Sequence, residues 1–204
     1  AEIIRDQALY VSGLMHGVLG GPSVKPYQPA GLWKPVGFGG SNTSVFKQDS
    51  GEKLYRRSMY TFWKRTSPPP SMTTFDAPDR ETCQVRRART NTPLQALVLM
   101  NDVQFIEAAR KFAERILRNG GESDEQRLVY AFRSIVGRRP STGELEKLLV
   151  FQADYRQQFG QDETAVTQFL SAGESPRDES LDASDLAAWS MLAHLLMNLS
   201  LIHI

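Results

Sequence analysis

Thr92–Gly121, TPLQALVLMNDVQFIEAARKFAERILRNGG, is the stretch on which the fold turns. Thr92, Pro93 and Gln95 read as an N-cap, a first-turn proline whose missing N–H costs nothing, and a capping-box partner. They open a short apolar helix to Met100. Asn101 with Gln104 repeats the start signal, and Phe105, Ala109, Phe112 and Ile116 then recur at the spacing of one buried helical face. The helix stops at Asn119, Gly120 and Gly121.

The same grammar continues outward toward the C-terminus. Ser123 with Gln126 opens a helix with Leu128, Phe132 and Ile135 inward and Gly137 as its stop. Ser141 with Glu144 opens the next, with Leu145, Leu148, Leu149 and Tyr155 inward. Asp162 to Leu170 is a shorter amphipathic piece, and the polar GESPRDESLD from Gly173 to Asp182 is a loop. Leu186, Trp189, Ala193, Leu196 and Leu199 line a final helix apolar enough to lie at the centre of a bundle. Each cap contributes only about 1 kcal/mol, but all point the same way.

Working outward toward the N-terminus, the regularity is lost. Glu2 to Met15 places Ile4, Ala8, Val11 and Met15 on one helical face and stops near His16 and Gly17. Most of the punctuating Gly and Pro lie in GGPSVKPYQPAGLWKPVGFGG, residues 20–40, which excludes regular backbone pairing there. Tyr27, Leu32, Trp33 and Phe38 would pin that segment as a surface loop. Asp49 and Glu52 suggest a capping box, with Tyr55, Met59, Phe62 and Thr66 at helical spacing, so a helix is expected over about Gly51 to Arg65. The β-favouring run Tyr60 to Trp63 makes a strand the competitor. Pro68 to Pro70 favour an extended polyproline path. The expected fold is mainly α: an irregular, loop-rich N-terminal half, residues 1–91, packed on a C-terminal helical bundle, residues 92–200.

Composition excludes several function classes. The chain has 204 residues, 41% of them hydrophobic, and a formal net charge of +1, so recognition by charge must be local. Between Glu52 and Asn91 nine basic residues face four acidic ones, a local excess of about +5. Cys83 is the single cysteine, which forbids an intrachain disulfide and a thiolate metal cage. It reads as a packed structural cysteine. His16, His194 and His203 share no metal-ligating spacing, so no metal site is expected, and His194 reads as a core-edge residue. GxSxG, P-loop and GxGxxG signatures are absent. No apolar run approaches the roughly 20 residues of a membrane span. The chain begins without methionine or a leader, already in helical pattern, and is expected to be a piece of something longer.

The chemistry-bearing segment is FDAPDRETCQVRRARTNT, residues 75–92. Asp76 and Asp79 bracket a turn at Pro78, and Arg80, Arg86, Arg87, Arg89 and Asn91 approach the helix that starts at Pro93. Such carboxylates and forked guanidiniums around a helix start could bind an anionic or polyhydroxylated ligand. Alternatively the aspartates pair with the arginines, and the set is a polar staple for an irregular loop. A single-stranded nucleic-acid surface using Tyr60, Phe62 and Trp63 is a lesser reading, because Asp76, Asp79 and Glu81 would repel phosphates. No catalytic residue can be assigned.

The run LYRRSMYTFWKRTSPPPSMTTFDAPDRETCQVRRARTNTPLQALVLMNDVQFIEAAR resembles the family called domain of unknown function 1553, as do GGPSVKPYQPAGLW, VGRRPSTGEL and LAAWSMLAHLLMNL. The resemblance implies the C-terminal domain of a secreted, extracytoplasmic planctomycete-type multidomain protein, often with a c-type cytochrome domain upstream. Haem c would then belong to that upstream part, since no CxxCH occurs here and this segment needs no cofactor of its own. It further implies carbohydrate as a substrate class and the upstream domains as partners. Trp33, Phe38 and Trp63 would dock those domains if the chain is a non-catalytic scaffold. Relatives continue the last helix with polar residues, so residues 201–204, including His203, are expected to be a non-native tail.

Overall fold

In the computed structural model, residues 1–202 are described, with side chains through residue 199. The reading of 201–204 and His203 as a foreign tail lies outside the described side chains. Eight α-helices form: α1 (Glu2–Ser12), α2 (Pro70–Thr73), α3 (Pro93–Asn101), α4 (Val103–Asn119), α5 (Asp124–Val136), α6 (Thr142–Phe159), α7 (Glu163–Leu170) and α8 (Ala183–Ile202). Three 3₁₀ turns, Lys34–Val36, Gly51–Tyr55 and Ser58–Tyr60, complete the regular structure, and no strand occurs among the described residues. The fold is mainly α, as the sequence periodicity indicates. The chain divides into two compact units: Ala1–Asp6 with Met15–Val98, and Gln7–Leu14 with Leu99–Ile204.

The second unit is a bundle built on α8, which packs against α4, α5, α6 and α7. Leu186, Trp189, Leu192 and Leu196 are fully buried, and Ala187, Ala188 and Ala193 let neighbouring backbones approach from several sides. Phe105, Ala109, Phe112 and Ile116 of α4 and Leu128, Phe132 and Ile135 of α5 are buried as the spacing predicts. Of the α6 residues expected inward only Leu148 is buried, and Leu145, Leu149 and Tyr155 are half-exposed. Reciprocal capping boxes start α5 at Ser123/Gln126 and α6 at Ser141/Glu144. The α4 start is displaced by one residue from its expected Asn101. Asp102 is the cap, its carboxylate accepting from Gln104 N at 2.9 Å, because Asn101 still belongs to α3.

Two features of this unit leave no periodic trace. The first is the docking of the polar loop 171–182 by charged side chains of α4. Arg110, 1% exposed, donates to Ser175 O at 2.6 Å and Ser175 Oγ at 2.9 Å and pairs with Glu114, while the fully buried Glu107 accepts from Ser175 N at 2.6 Å. Gly173 lies so close that a Cβ there would fall 2.2 Å from Glu107 Cδ. The second is Arg156 of α6, which donates to Asp124 of α5 at 2.9 Å and Asp185 of α8 at 2.6 Å. Residues Gln7–Leu14 also belong here: Leu9 is fully buried and Gln7 donates to Ile135 O at 3.0 Å. Helix α1 ends at Ser12, earlier than the apolar spacing suggests, because Gly13 turns left-handed and Arg115 donates to Val11 O.

The first unit replaces ladders with guanidinium anchors. Residues 51–65 form neither the expected helix nor the competing strand: two 3₁₀ turns are separated by extended Arg56 and Arg57, and Thr61 is extended too. Asp49, expected to cap, instead accepts from Lys25 N at 2.7 Å. Isolated parallel bridges, His16 with Arg56 and Val24 with Thr61, are the only β pairing that reaches this segment among the described residues. Arg5, 3% exposed, donates to Leu54 O at 2.6 Å and Arg56 O at 2.7 Å. Arg56 in turn donates to Pro22 O at 2.7 Å, Val18 O at 3.2 Å and Gly20 O, and lies 3.9 Å from the Tyr60 ring centre. These fork-shaped donors satisfy carbonyls that no periodic backbone can reach. The three prolines do not stay extended throughout: Pro69 is extended, and Pro70 opens α2.

Candidate functional site

The candidate loop is anchored at its base. Asp76 adopts φ 59°, a left-handed conformation that aspartate tolerates, and its carboxylate accepts from Thr90 N at 2.7 Å and Thr90 Oγ1 at 2.9 Å. Gln95 then ties the closing end: its Nε2 donates to Thr90 Oγ1 and Thr74 O, both at 3.0 Å, while it completes the capping box with Thr92. The capping role of Thr92 and Gln95 is the one written in the sequence spacing. Their neighbour Asn91 is exposed and does not tie the turn; Thr90 does.

Residues 79–94 are exposed without interruption. Within them the candidate residues disperse. Asp79 Oδ1 accepts from Glu81 N at 3.0 Å and Asp79 O accepts from Trp63 Nε1 at 3.1 Å. Arg80, at φ 64°, stacks 4.5 Å from the Trp63 ring centre, a contact that holds a conformation arginine rarely adopts. Arg87 pairs with Glu2 at 2.7 Å, and Arg65 with Glu81 at 3.6 Å. Among the described residues neither aspartate forms an ion pair with an arginine; their carboxylates accept from hydroxyl and amide donors instead. Arg86 and Arg89 extend from the loop exposed, with no carboxylate partner among the described residues.

Cys83 is exposed, which corrects the expectation of a packed cysteine: the segment carrying it contributes nothing to the core. Trp33, expected to face a partner, is 2% exposed, with Phe46 at 5.1 Å and Phe62 at 5.5 Å between ring centres. Its ring is occupied inside the unit. Phe38, by contrast, is 85% exposed, and Trp63 is half-buried beneath Arg80. Tyr60 and Trp63 are covered by arginines and Phe62 by Trp33 and Lys25, which leaves little open ring face for base stacking. Among the described residues no three His, Cys, Asp or Glu groups gather to hold a metal ion. The single cysteine, Cys83, can supply at most one of the two thioether links of a CxxCH haem attachment. Among the described residues no helix is long and apolar enough to cross a membrane.

Sequence reasoning missed Thr90, Gln95 Nε2 and Glu2, because their partners lie 14, 21 and 85 residues away. His194 is buried as a core residue, donating from Nε2 to Leu99 O, and burial pushes its pKa below the ordinary histidine value.

Comparison with curated proteins and with solved structures yields no match. The signal lies in the family model described as PSD1, protein of unknown function (DUF1553), which matches residues 1–152, the span that holds the arginine-anchored unit, the stapled loop and the first helices of the bundle. The chain belongs to that family.

Proposed function

We propose that this chain is a docking module of a multidomain protein, with loop 79–94 as its contact surface. The observation that carries this reading is the contrast between base and tip: Asp76, Thr90 and Gln95 anchor the loop, while Arg86 and Arg89 are exposed with no carboxylate partner among the described residues. A loop held this way loses less conformational entropy on binding than a free one, and its unpaired guanidiniums favour an acidic surface. The partner is the upstream part of the same polypeptide, in the extracytoplasmic setting that the family resemblance implies. Any haem is carried there. Phe38 adds an exposed aromatic contact. The alternative, a carbohydrate or anion pocket built from Asp76, Asp79 and the arginines, is less supported, because Asp76, Asp79, Arg80 and Arg87 each turn to a different intramolecular partner.

The test is calorimetric titration of the separately expressed upstream domains against wild type and the R86E/R89E variant. Binding should weaken by about tenfold or more in the variant, and the partner should shield Cys83 from a thiol reagent. Equal affinities with Cys83 still reactive would defeat the docking reading. Saturable binding of sulfated or neutral oligosaccharides, lost in Asp79→Ala or Arg87→Ala with an unchanged Tm, would restore the pocket.

A further inference from the structure

On the surface of the bundle, the face of α5 turned away from its buried stripe forms one wall of an open groove of about 760 Å³ bordered by the start of α6 and the turn between them. That volume lies within the roughly 300–1,000 Å³ range of small-molecule sites. Its apolar floor is Val129, Tyr130 and Leu145, all half-buried, and its charged rim is Glu125, Arg133 and Arg139.

We propose that this groove binds a small monoanion with a flat apolar body, of the aryl carboxylate class. Arg133 and Arg139 have no carboxylate partner among the described residues, whereas the arginines on either side of Arg133 in sequence do: Arg127 pairs with Asp124 at 3.8 Å and Arg138 with Glu144 at 2.7 Å. The partial negative charge at the end of α5 accounts for one cation, Arg133 in its last turn. It does not account for Arg139, which lies beyond the Gly137 cap and lines the same groove. Two guanidiniums at one end form a forked donor set for a carboxylate. Glu125 lies eight residues before Arg133 on α5, about 12 Å along the axis, and sets an opposite charge at the far end. The groove therefore selects one negative charge and rejects a second, and the Tyr130 ring with Val129 and Leu145 takes the uncharged remainder. None of the residues in loop 79–94 takes part.

The experiment is an NMR titration of the whole chain with 2-naphthoate, its neutral counterpart 2-naphthamide, and acetate as an anion without a body. Saturable binding of naphthoate is expected, with shifts confined to amides near residues 125–145, at least about tenfold tighter than naphthamide. Acetate should not saturate. The R133Q/R139Q variant, altered only at exposed positions, should keep its helical circular dichroism and bind naphthoate no better than naphthamide. R86Q should leave the affinity unchanged. No saturation by naphthoate at concentrations on the order of 10 mM, equal affinity for acid and amide, or shifts mapping elsewhere would each overturn the assignment.

Discussion

Asp76 shows how much a single carboxylate can organise. Asp76→Ala removes the acceptor for both Thr90 donors and places a Cβ residue without side-chain compensation at φ 59°, so a loss of about 1–3 kcal/mol is expected. Asp76→Asn, which tolerates the same backbone and keeps one acceptor, should recover part of it. Chemical denaturation measures the stability, and hydrogen exchange at the Thr90 amide should quicken in the alanine variant alone. Gly173→Ala is expected to be worse for a different reason: φ 86° and the 2.2 Å approach to Glu107 Cδ leave no room for a methyl group. Its effect should appear as release of loop 171–182 to proteolysis. Arg110→Met leaves the Ser175 acceptors without their donor, while Lys111 and the Asp178 amide still hold Glu114, so a loss of about 1–3 kcal/mol is expected. Residues of this kind were opaque in the sequence. Glu107, Arg110 and Glu114 look like an ordinary solvated charge pattern until loop 171–182 is placed over them, and nothing local marks Thr90 as the partner of Asp76.

Elements were far more legible than their anchors where backbone pairing is local. Helices α4 to α8 follow from caps and from the recurrence of Phe105, Phe112, Leu128 and Leu186, because a helix satisfies its own amides and needs only one apolar stripe. Residues 51–65 were not legible, since their hydrogen bonds depend on Arg5 and on segment 18–24, far away in sequence. On α6, Gln152 is 1% exposed, and neither of its amide atoms is hydrogen-bonded among the described residues. Replacing it by an apolar residue of similar shape removes that desolvation cost, so Gln152→Met should stabilise the chain by about 1–3 kcal/mol, read from the urea midpoint. On α8, His194 ties stability to pH. Its folded pKa is lowered by burial, so the folded state binds fewer protons than the unfolded one. Its contribution is present above the ordinary value of 6.5 and is lost as pH falls from there through the lowered folded value. Stability should rise with pH in that window, with a slope no greater than about 1.4 kcal/mol per pH unit, and the slope should flatten in His194→Gln.

For the whole molecule, the compact units do not follow the chain in order: Gln7–Leu14 belong with Leu99–Ile204. A fragment of residues 92–204, cut where sequence punctuation changes, would lack Leu9, which is fully buried, and Gln7, which satisfies Ile135 O. It should melt below the full chain and regain stability when a peptide of residues 1–14 is added, as differential scanning calorimetry would register. Native Cys83 should meanwhile react completely with a disulfide reagent before any unfolding, because its loop is exposed throughout. The Arg5 and Arg56 anchors carry a consequence for engineering. In most domains a library that swaps arginine for lysine is nearly silent, but an ammonium at position 56 cannot span Val18, Gly20 and Pro22 together. Saturation mutagenesis scored for soluble expression should therefore show two positions intolerant of every other amino acid, lysine included, in a region whose backbone otherwise looks improvised.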